Sequence, residues 1–190
     1  METKLNSLKG TFEDVYGPGL SPLNHIELEY SVTRLTIDAS NVYIDDCFFH
    51  DFTSTSDGGA IYCNGSVSKL LVEQSSFISC KTSNGRGGGI YYWNKESGES
   101  VLSRICGFEC SCTNDAQSFR QCTKNDITFK NHVNNTSITH SLKRNYEQWY
   151  SLYLYSGKIL CSSVNLTNNE CYRFPALGCE TSVNTAAETC

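Results

Sequence analysis

The chain has 190 residues, which corresponds to one domain by the usual relation between length and domain number and is long enough to bury a core. It carries a net charge of −5 and no run of Lys or Arg, so the positive surface that nucleic acids or anionic lipids require is not expected. Gly, Ser, Thr, Asn and Tyr are prominent, and this composition favours strands and turns over helices.

The chain gives opposing signals about its compartment. Its N-terminal residues, METKLNSLKGTFEDVYG, are polar and partly acidic, unlike a secretory signal, and no stretch approaches the ~18 apolar residues of a membrane helix. In contrast, 11 Cys and four Asn-x-Ser/Thr sequons are typical of secreted or surface proteins. We therefore expect a cell-surface or extracellular protein, and interpret these residues as a fragment whose leader and membrane anchor lie outside them. The candidate glycosylation sites are Asn64, Asn134, Asn135 and Asn165.

The pattern along the chain predicts two regions. Residues 1–24 hold Gly and Pro signals and little periodicity, and we expect an irregular segment there. Strand patterns begin at His25 with HIELEY, continue with VTRLTI and NVYID, and recur as short strands towards the end of the chain. No window of useful length has helical periodicity, so region 25–190 is predicted to consist of strands and turns.

One segment of the chain occurs twice. Residues 48–61 read FFHDFTSTSDGGAI and residues 77–90 read FISCKTSNGRGGGI. Phe49 recurs as Phe77 after 28 residues, and the Ile that ends each copy recurs after 29. A self-match at this period is typical of stacked repeat architectures. The clearest units are 42–63 and 70–93, and degenerate units follow at 101–122 and 159–179.

The degenerate units keep parts of this pattern. Phe119 falls 29 residues after Ile90, although the stretch that corresponds to the Gly pair reads AQSF. In the last unit, Leu166 takes the position of Phe49 and Leu177 takes the position of the terminal Ile.

A unit of this length, made of short strands, cannot bury its apolar face alone. Stacked on a copy of itself, it pairs its backbone with the next unit at ~4.8 Å, and identical positions lie above each other as interior apolar columns. A Gly pair suits a tight corner, where a positive φ or a close backbone approach excludes a Cβ. The sequence therefore predicts an all-β protein with the fold of a parallel β-helix. The positions predicted to carry the repeat are Phe49, Gly58, Gly59, Ile61, Phe77, Gly87, Gly88, Ile90, Phe119, Leu166 and Leu177.

These motifs resemble a known group of surface proteins. The Gly-Gly-Ala-Ile run at 58–61, with an FxxN-like motif upstream, resembles the repeats of polymorphic outer membrane proteins. The FxxN slot reads FHDF at 49–52, FISC at 77–80 and LTNN at 166–169, so only the last copy keeps Asn. The Cys-rich form, with SFxxC and GGAIYC, is similar to a large surface-protein family of trichomonad protists. The resemblance covers roughly residues 40–180 and implies a right-handed parallel β-helix of the pectin-lyase type, displayed at a cell surface and used in adhesion.

Two carboxylates occupy equivalent positions one coil apart. Asp45 and Glu73 would stack at ~5 Å, a spacing that could bind Ca²⁺ or support cleavage of acidic polysaccharides. The alternative interpretation is an exposed strand face whose acids stay solvated, because enzymes of this fold need several convergent acids and bases, and only Lys69 and Arg86 lie nearby in the repeat.

The Cys and His residues show no standard metal-site spacing. Cys106, Cys110, Cys112 and Cys122 form a C-x3-C-x-C-x9-C cluster, which is off-pattern for zinc and favours disulfides or interior thiols over a metal site. The four His residues have neither metal spacing nor a nucleophile partner signature, and the GRGGG run lacks the Lys of a phosphate loop. No catalytic residue, metal or cofactor is predicted.

Two groups of aromatic residues are candidates for ligand contact. Tyr91 and Trp93 follow the second Gly corner, and Tyr153 lies in a later tyrosine cluster. Alternation along a strand sends some of these rings outward, where they could bind host or extracellular glycans or proteins, and the others inward. We therefore predict a non-enzymatic surface module that mediates adhesion or binding through its outer flanks. The alternatives are a carbohydrate-active β-helix enzyme, a lyase or hydrolase using acids such as Asp45 and Glu73, and a structural stalk.

Overall fold

The structure, a computed structural model, describes residues 10–114, 116, 118–141, 150–170 and 177–180, and the backbone of 186–188. In this part of the chain there is one short helix, α1 (Phe12–Tyr16), and a series of strands that pair in parallel. The strands coil into a β-solenoid of about five turns, which confirms the all-β, parallel β-helix fold predicted from the sequence. The strands are β1 (Leu23–Ile26), β2 (Glu29–Tyr30), β3 (Leu35–Ile37), β4 (Asn41–Asp45), β5 (Phe48–His50), β6 (Thr53–Ser54), β7 (Ile61–Cys63), β8 (Lys69–Glu73), β9 (Ser76–Ile78), β10 (Lys81–Thr82), β11 (Ile90–Trp93), β12 (Glu99–Ser103), β13 (Cys106–Phe108), β14 (Phe119–Cys122), β15 (Lys130–Thr139), β16 (Leu152–Tyr155), β17 (Lys158–Thr167), β18 (Leu177–Glu180) and β19 (Ala186–Glu188).

Two long sheets form the walls of the solenoid. Sheet A has the order β1-β4-β8-β12-β15-β13-β9-β5-β2, with β17 and β19 continuing from β15. It has a first half built on β4 and β8 and a second half built on β5 and β9; the ten-residue strand β15 spans both halves, because it pairs with β12 and with β13. Sheet B has the order β3-β7-β11-β14-β16-β18, and β6 pairs with β10 in a small third sheet.

A single left-handed residue bends the chain between the two halves of sheet A. In the second coil this residue is Asp46, with a φ of +52° between β4 and β5. This conformation disfavours residues with a Cβ by roughly 1–2 kcal/mol, so the stacked backbone must hold it in place. The bend positions of successive coils, all of them exposed or partly exposed, are Glu27, Asp46, Gln74, Arg104, Asn135 and Ser163.

One interior column contains the Phe of the repeat. Tyr30, Phe49 and Phe77 pair in register, with successive ring centroids 4.8 Å apart and planes within 4° of parallel. Gly107 follows in the next coil, and the ring of Phe119 from sheet B fills the space beside it. A Cβ at Gly107 would lie only 3.0 Å from the Cζ of Phe119. The column therefore keeps its volume where the Phe is lost. It ends with Ile138 and Leu166.

A second interior column contains the Ile of the repeat. Ile61 pairs with Ile90, and Ile90 pairs with Phe119, as the repeat spacing predicted. The same column begins at Leu35 and ends with Leu152 and Leu177, so Leu177 occupies its predicted position. Ile61, Ile90, Phe119 and Leu152 are fully buried.

The Gly corners have the tight geometry that the sequence predicted. Gly58 and Gly87 have positive φ values of +73° and +63°, and a Cβ at Gly59 would lie 1.8 Å from the carbonyl oxygen of Gly88. In the next coil the Gly is absent and Ala116 takes the left-handed conformation, with its carbonyl accepting from the backbone N–H of Gly87. The degenerate unit therefore keeps the corner without the glycine.

The Cys residues that replace the FxxN asparagine have an asparagine-like role. The thiol of Cys80 donates to the carbonyl of Phe49 (3.5 Å), and the thiol of Cys110 donates to the carbonyl of Phe77 (3.4 Å). Asn169 makes the same bond to Ile138 through its Nδ2 (2.9 Å). Burial raises the pKa of Cys80, so it remains a protonated donor. These interior thiols link successive coils by hydrogen bonds.

The N-terminal region contains a helix where an irregular segment was expected. Thr11 and Asp14 form a capping box that starts α1, and the helix ends at Gly17. Five residues are too few to produce a visible helical period, which explains why the sequence pattern missed it. α1 packs on the outside of the first half of sheet A, where Phe12 contacts Tyr43 with ring centroids 6.3 Å apart.

Candidate functional site

The outer face of sheet B brings the predicted aromatic residues together. Along β11, Ile90 and Tyr92 point into the core while Tyr91 and Trp93 point outward, as strand alternation requires. β16 repeats this pattern, with Tyr153 outward. The three residues predicted as a binding surface, Tyr91, Trp93 and Tyr153, therefore share one face of sheet B. We call this surface the aromatic face and define it by its outward residues Tyr62, Tyr91, Trp93, Arg120, Cys122, Tyr153 and Tyr155, together with the cations Arg34, Arg86 and Lys95 beside them.

The first column of the aromatic face alternates rings with an arginine. The register runs Tyr62, Tyr91, Arg120 and Tyr153 through four successive coils. The rings of Tyr62 and Tyr91 are nearly parallel, 7° apart in orientation and 5.7 Å between centroids. The Cζ of Arg120 lies 4.7 Å from the centroid of Tyr153, so the guanidinium lies against that ring.

The second column has the same arrangement with a lysine. Trp93, Cys122 and Tyr155 are neighbours in register. Cys122 is small, and the side chain of Lys95 fills the space beside it: its Nζ lies 4.6 Å from the centroid of Trp93 and 4.5 Å from that of Tyr155. Lys95 is therefore held by two rings that belong to coils two steps apart.

Burial divides the face into an inner and an accessible part. Tyr91 and Tyr153 are each 7% exposed and Arg120 is 6% exposed, whereas Trp93 is half-buried and Lys95 is exposed. Burial raises the pKa of Tyr91 to about 12 and also raises that of Tyr153, which in addition donates to Glu180. The phenols therefore stay protonated. Of the three predicted contact residues, Trp93 is the most accessible, and sequence reasoning missed the two cations beside it.

The two candidate carboxylates are neighbours but are not solvated. Asp45 pairs with Glu73 in register, as predicted, yet they are 0% and 4% exposed. Glu73 accepts from Arg104 (3.2 Å), and Tyr43 lies 3.3 Å both from Glu73 and from the carbonyl of Gly10. The interpretation of an exposed, solvated acid pair is therefore wrong, because Gly10 of the N-terminal segment lies beside Glu73 and the amide of Gln74 donates to Asp45 (3.1 Å).

The Cys cluster is divided among different surroundings. Cys106 is exposed, Cys110 lies in the core, Cys112 is buried against the carbonyl of Ala116, and Cys122 lies under Lys95 on the aromatic face. Within the described residues, no group of three His, Cys, Asp or Glu side chains is placed to hold a metal ion.

The predicted glycosylation sites differ in accessibility. Asn135 and Asn165 are exposed, whereas Asn64 and Asn134 are half-buried and each accepts a hydrogen bond through its side-chain oxygen. Asn135 is also the left-handed bend residue of its coil.

Among the described residues, no helix has the length and apolar character that crossing a bilayer demands. No family model matches the chain, and neither the curated proteins nor the solved structures contain one similar to it.

Proposed function

We propose that the chain is a non-enzymatic cell-surface or secreted module that binds glycans or proteins through its aromatic face. The observation that carries this proposal is the layer of interleaved rings and cations on the outside of sheet B, in which Trp93 and Lys95 are accessible to solvent. Trp, Tyr and Arg are the residue types that contribute most to binding free energy at protein interfaces. The resemblance to adhesive surface repeats supports the same function.

The solenoid suits a binding role because its interior and exterior are independent. The inward columns set the register of the coils, while the outward positions between them contact each other or solvent. Outward residues can therefore vary without disturbing the core.

Binding to a panel of immobilised glycans and host surface proteins tests the proposal. We expect Trp93→Ala to weaken the strongest interaction by at least about tenfold, the effect of losing one interface hot spot. Phe48→Ala is the matched control, because Phe48 is an exposed aromatic residue on sheet A. Equal binding by wild type and Trp93→Ala would show that the aromatic face is not the site.

The enzymatic alternative would use Asp45 and Glu73. Glu73 is buried beside Gly10 of the N-terminal segment and Asp45 is fully buried, and Arg104 and Gln74 bond to them, so a polysaccharide would reach them only after the covering residues moved. Incubation with polygalacturonate, with Asp45→Ala and Glu73→Ala alongside, tests this alternative. Cleavage that is lost in both variants would favour the enzyme over the binding module.

A further inference from the structure

The ring surfaces of the aromatic face are already occupied by other side chains. Lys95 lies over one side of Trp93, and the guanidinium of Arg120 lies 5.1 Å from the same ring's centroid. Arg34 lies 5.1 Å from the centroid of Tyr62, whose ring also stacks on Tyr91. A neutral sugar that binds by laying its C–H groups on an aromatic ring needs an open ring surface. On this face it would have to displace a cation first.

Cations lie among these rings, and three of them are accessible: Lys95 is exposed and Arg34 and Arg86 are half-buried, whereas Arg120 is buried. Four of the ten Lys and Arg side chains in the described residues belong to this face: Arg34, Arg86, Lys95 and Arg120. The carboxylates nearby are those of Asp57, which accepts from the backbone N–H of Arg86, of Glu180, which accepts from Tyr153, and of Glu96, which is next to Lys95 in the chain. Asp38, directly after β3, accepts from Ser66. Four of the ten described cations are nevertheless gathered on one face of a chain whose net charge is −5.

Lys95 is the cation best placed to meet a ligand. Its ammonium group touches two rings and is exposed, and within the described part of the chain it lies within ion-pair distance of no carboxylate. An ammonium group has three N–H donors, and an aromatic ring does not satisfy them as an oxygen acceptor does. A carboxylate or sulfate oxygen would accept from these donors in a charge-assisted hydrogen bond, which is roughly twice as strong as a neutral one.

We infer that the ligand of the aromatic face is an acidic glycan, bound through its carboxylate or sulfate groups by Lys95 and the neighbouring arginines. This inference rests on the proposed function, and it replaces stacking of neutral sugars by oxyanion recognition. Because the protein as a whole is acidic, the attraction has to come from this local group of cations and must weaken as salt screens it.

The test compares three polymers on the full chain: polygalacturonate for carboxylates, dextran sulfate for sulfates and unmodified dextran as the neutral probe. We expect one or both acidic polymers to bind and dextran not to bind, with affinity falling as NaCl rises from about 50 to 500 mM. Lys95→Gln should weaken the binding of the acidic polymer at least about tenfold. Lys95→Arg should retain it.

The matched control is Lys81→Gln. Lys81 lies on β10, outside sheet B, and its loss changes the net charge of the protein by the same amount. Thermal melting of each variant shows whether the fold is intact. Equal loss of binding in both Gln variants, or no loss in Lys95→Gln, would overturn the assignment of an acidic ligand.

The outcomes of this binding test also distinguish the acidic-glycan inference from the proposed function. Binding of dextran that depends on Trp93 and is insensitive to salt would overturn the acidic ligand while supporting the aromatic face as a glycan site. Failure of all three polymers, together with protein partners that bind wild type and not Trp93→Ala, would likewise reject the acidic glycan and retain a binding module. If no ligand depends on Trp93 or on Lys95, both fail.

Discussion

The outward apolar and aromatic side chains of the two sheets are covered in different ways. On the first half of sheet A, Tyr43, Leu71 and Val101 form an outward column with no charged member, and α1 covers it through Phe12. On sheet B, the corresponding outward column interleaves its tyrosines with Arg120. The apolar column of sheet A is thus covered by α1, whereas the column of rings and cations on sheet B keeps polar groups at the surface. The difference suggests stability as the role of one face and binding as the role of the other.

The largest loss of stability is expected from a change in the interior core on which both sheets pack. Phe77→Ala deletes the central ring of the interior Phe column and should lower the free energy of unfolding by about 3–5 kcal/mol. Chemical denaturation measures this change. Phe48→Ala, on the outside of the neighbouring coil, should change it by less than about 1 kcal/mol. Similar losses in the two variants would contradict the interior assignment.

The next largest loss of stability should come from the outer face of sheet A and leave binding at sheet B unchanged. Phe12→Ala removes the ring that covers Tyr43, and we expect a loss of about 3 kcal/mol in unfolding free energy, since Phe12 is only 3% exposed. Glycan or protein binding at sheet B, measured at a temperature where the variant is folded, should stay within about twofold of wild type. Val32→Ala, at a residue 90% exposed, is the control for both measurements. A matching loss of binding in Phe12→Ala would mean that the two faces are not separate.

A smaller effect should follow from the acid pair on the same side. Arg104→Met removes this cation from the buried carboxylate of Glu73, and the expected loss is about 1–3 kcal/mol. The double variant Arg104→Met with Glu73→Gln should recover part of this loss, because the buried charge that Arg104 balanced is gone. Urea denaturation of the four proteins in the cycle measures the coupling. Strictly additive losses would show that the pair does not interact.

The smallest effect concerns pH and the second half of sheet A. Hydrogen bonds to Asp51 and Glu29 raise the pKa of His50 above its ordinary value of 6.5. The folded state therefore binds this proton more tightly than the unfolded state, so the stabilisation is complete below about pH 6.5 and is lost as pH rises through the raised pKa. Because the contact is exposed, the change should be slight. Melting temperatures of wild type and His50→Gln across pH 5.5–8.5 should differ most at the acidic end.

The sequence predicted the interior of the fold better than its surface. The offset of 28 residues that relates Phe49 to Phe77 also relates Asp45 to Glu73, and both pairings agree with the register. Applied once more, the offset of 29 leads from Tyr91 to Arg120, so this member of the aromatic face could have been found.

Other parts of the site had no such signal. Tyr153 follows Arg120 by 33 residues, because the coil between them is longer, and the simple period no longer applies. The burial of Glu73 involves Gly10 of the N-terminal segment, to which Tyr43 also bonds, and no repeat encodes this packing. Lys95 reaches the aromatic face from a turn, and a repeat pattern based on strands does not predict the direction of a turn side chain.

The left-handed bends of sheet A have a practical consequence for engineering. Glycine or asparagine at Asp46 or Ser163 would adopt the required φ more readily, so each replacement offers a route to a more heat-resistant solenoid. The bend residues of successive coils also form a row of side chains along the solenoid axis, spaced about 5 Å apart. Because Arg104 and Gln74 bond to the carboxylates of Glu73 and Asp45 on neighbouring strands, a recognition motif grafted along this row, one residue per coil, would keep these two side chains.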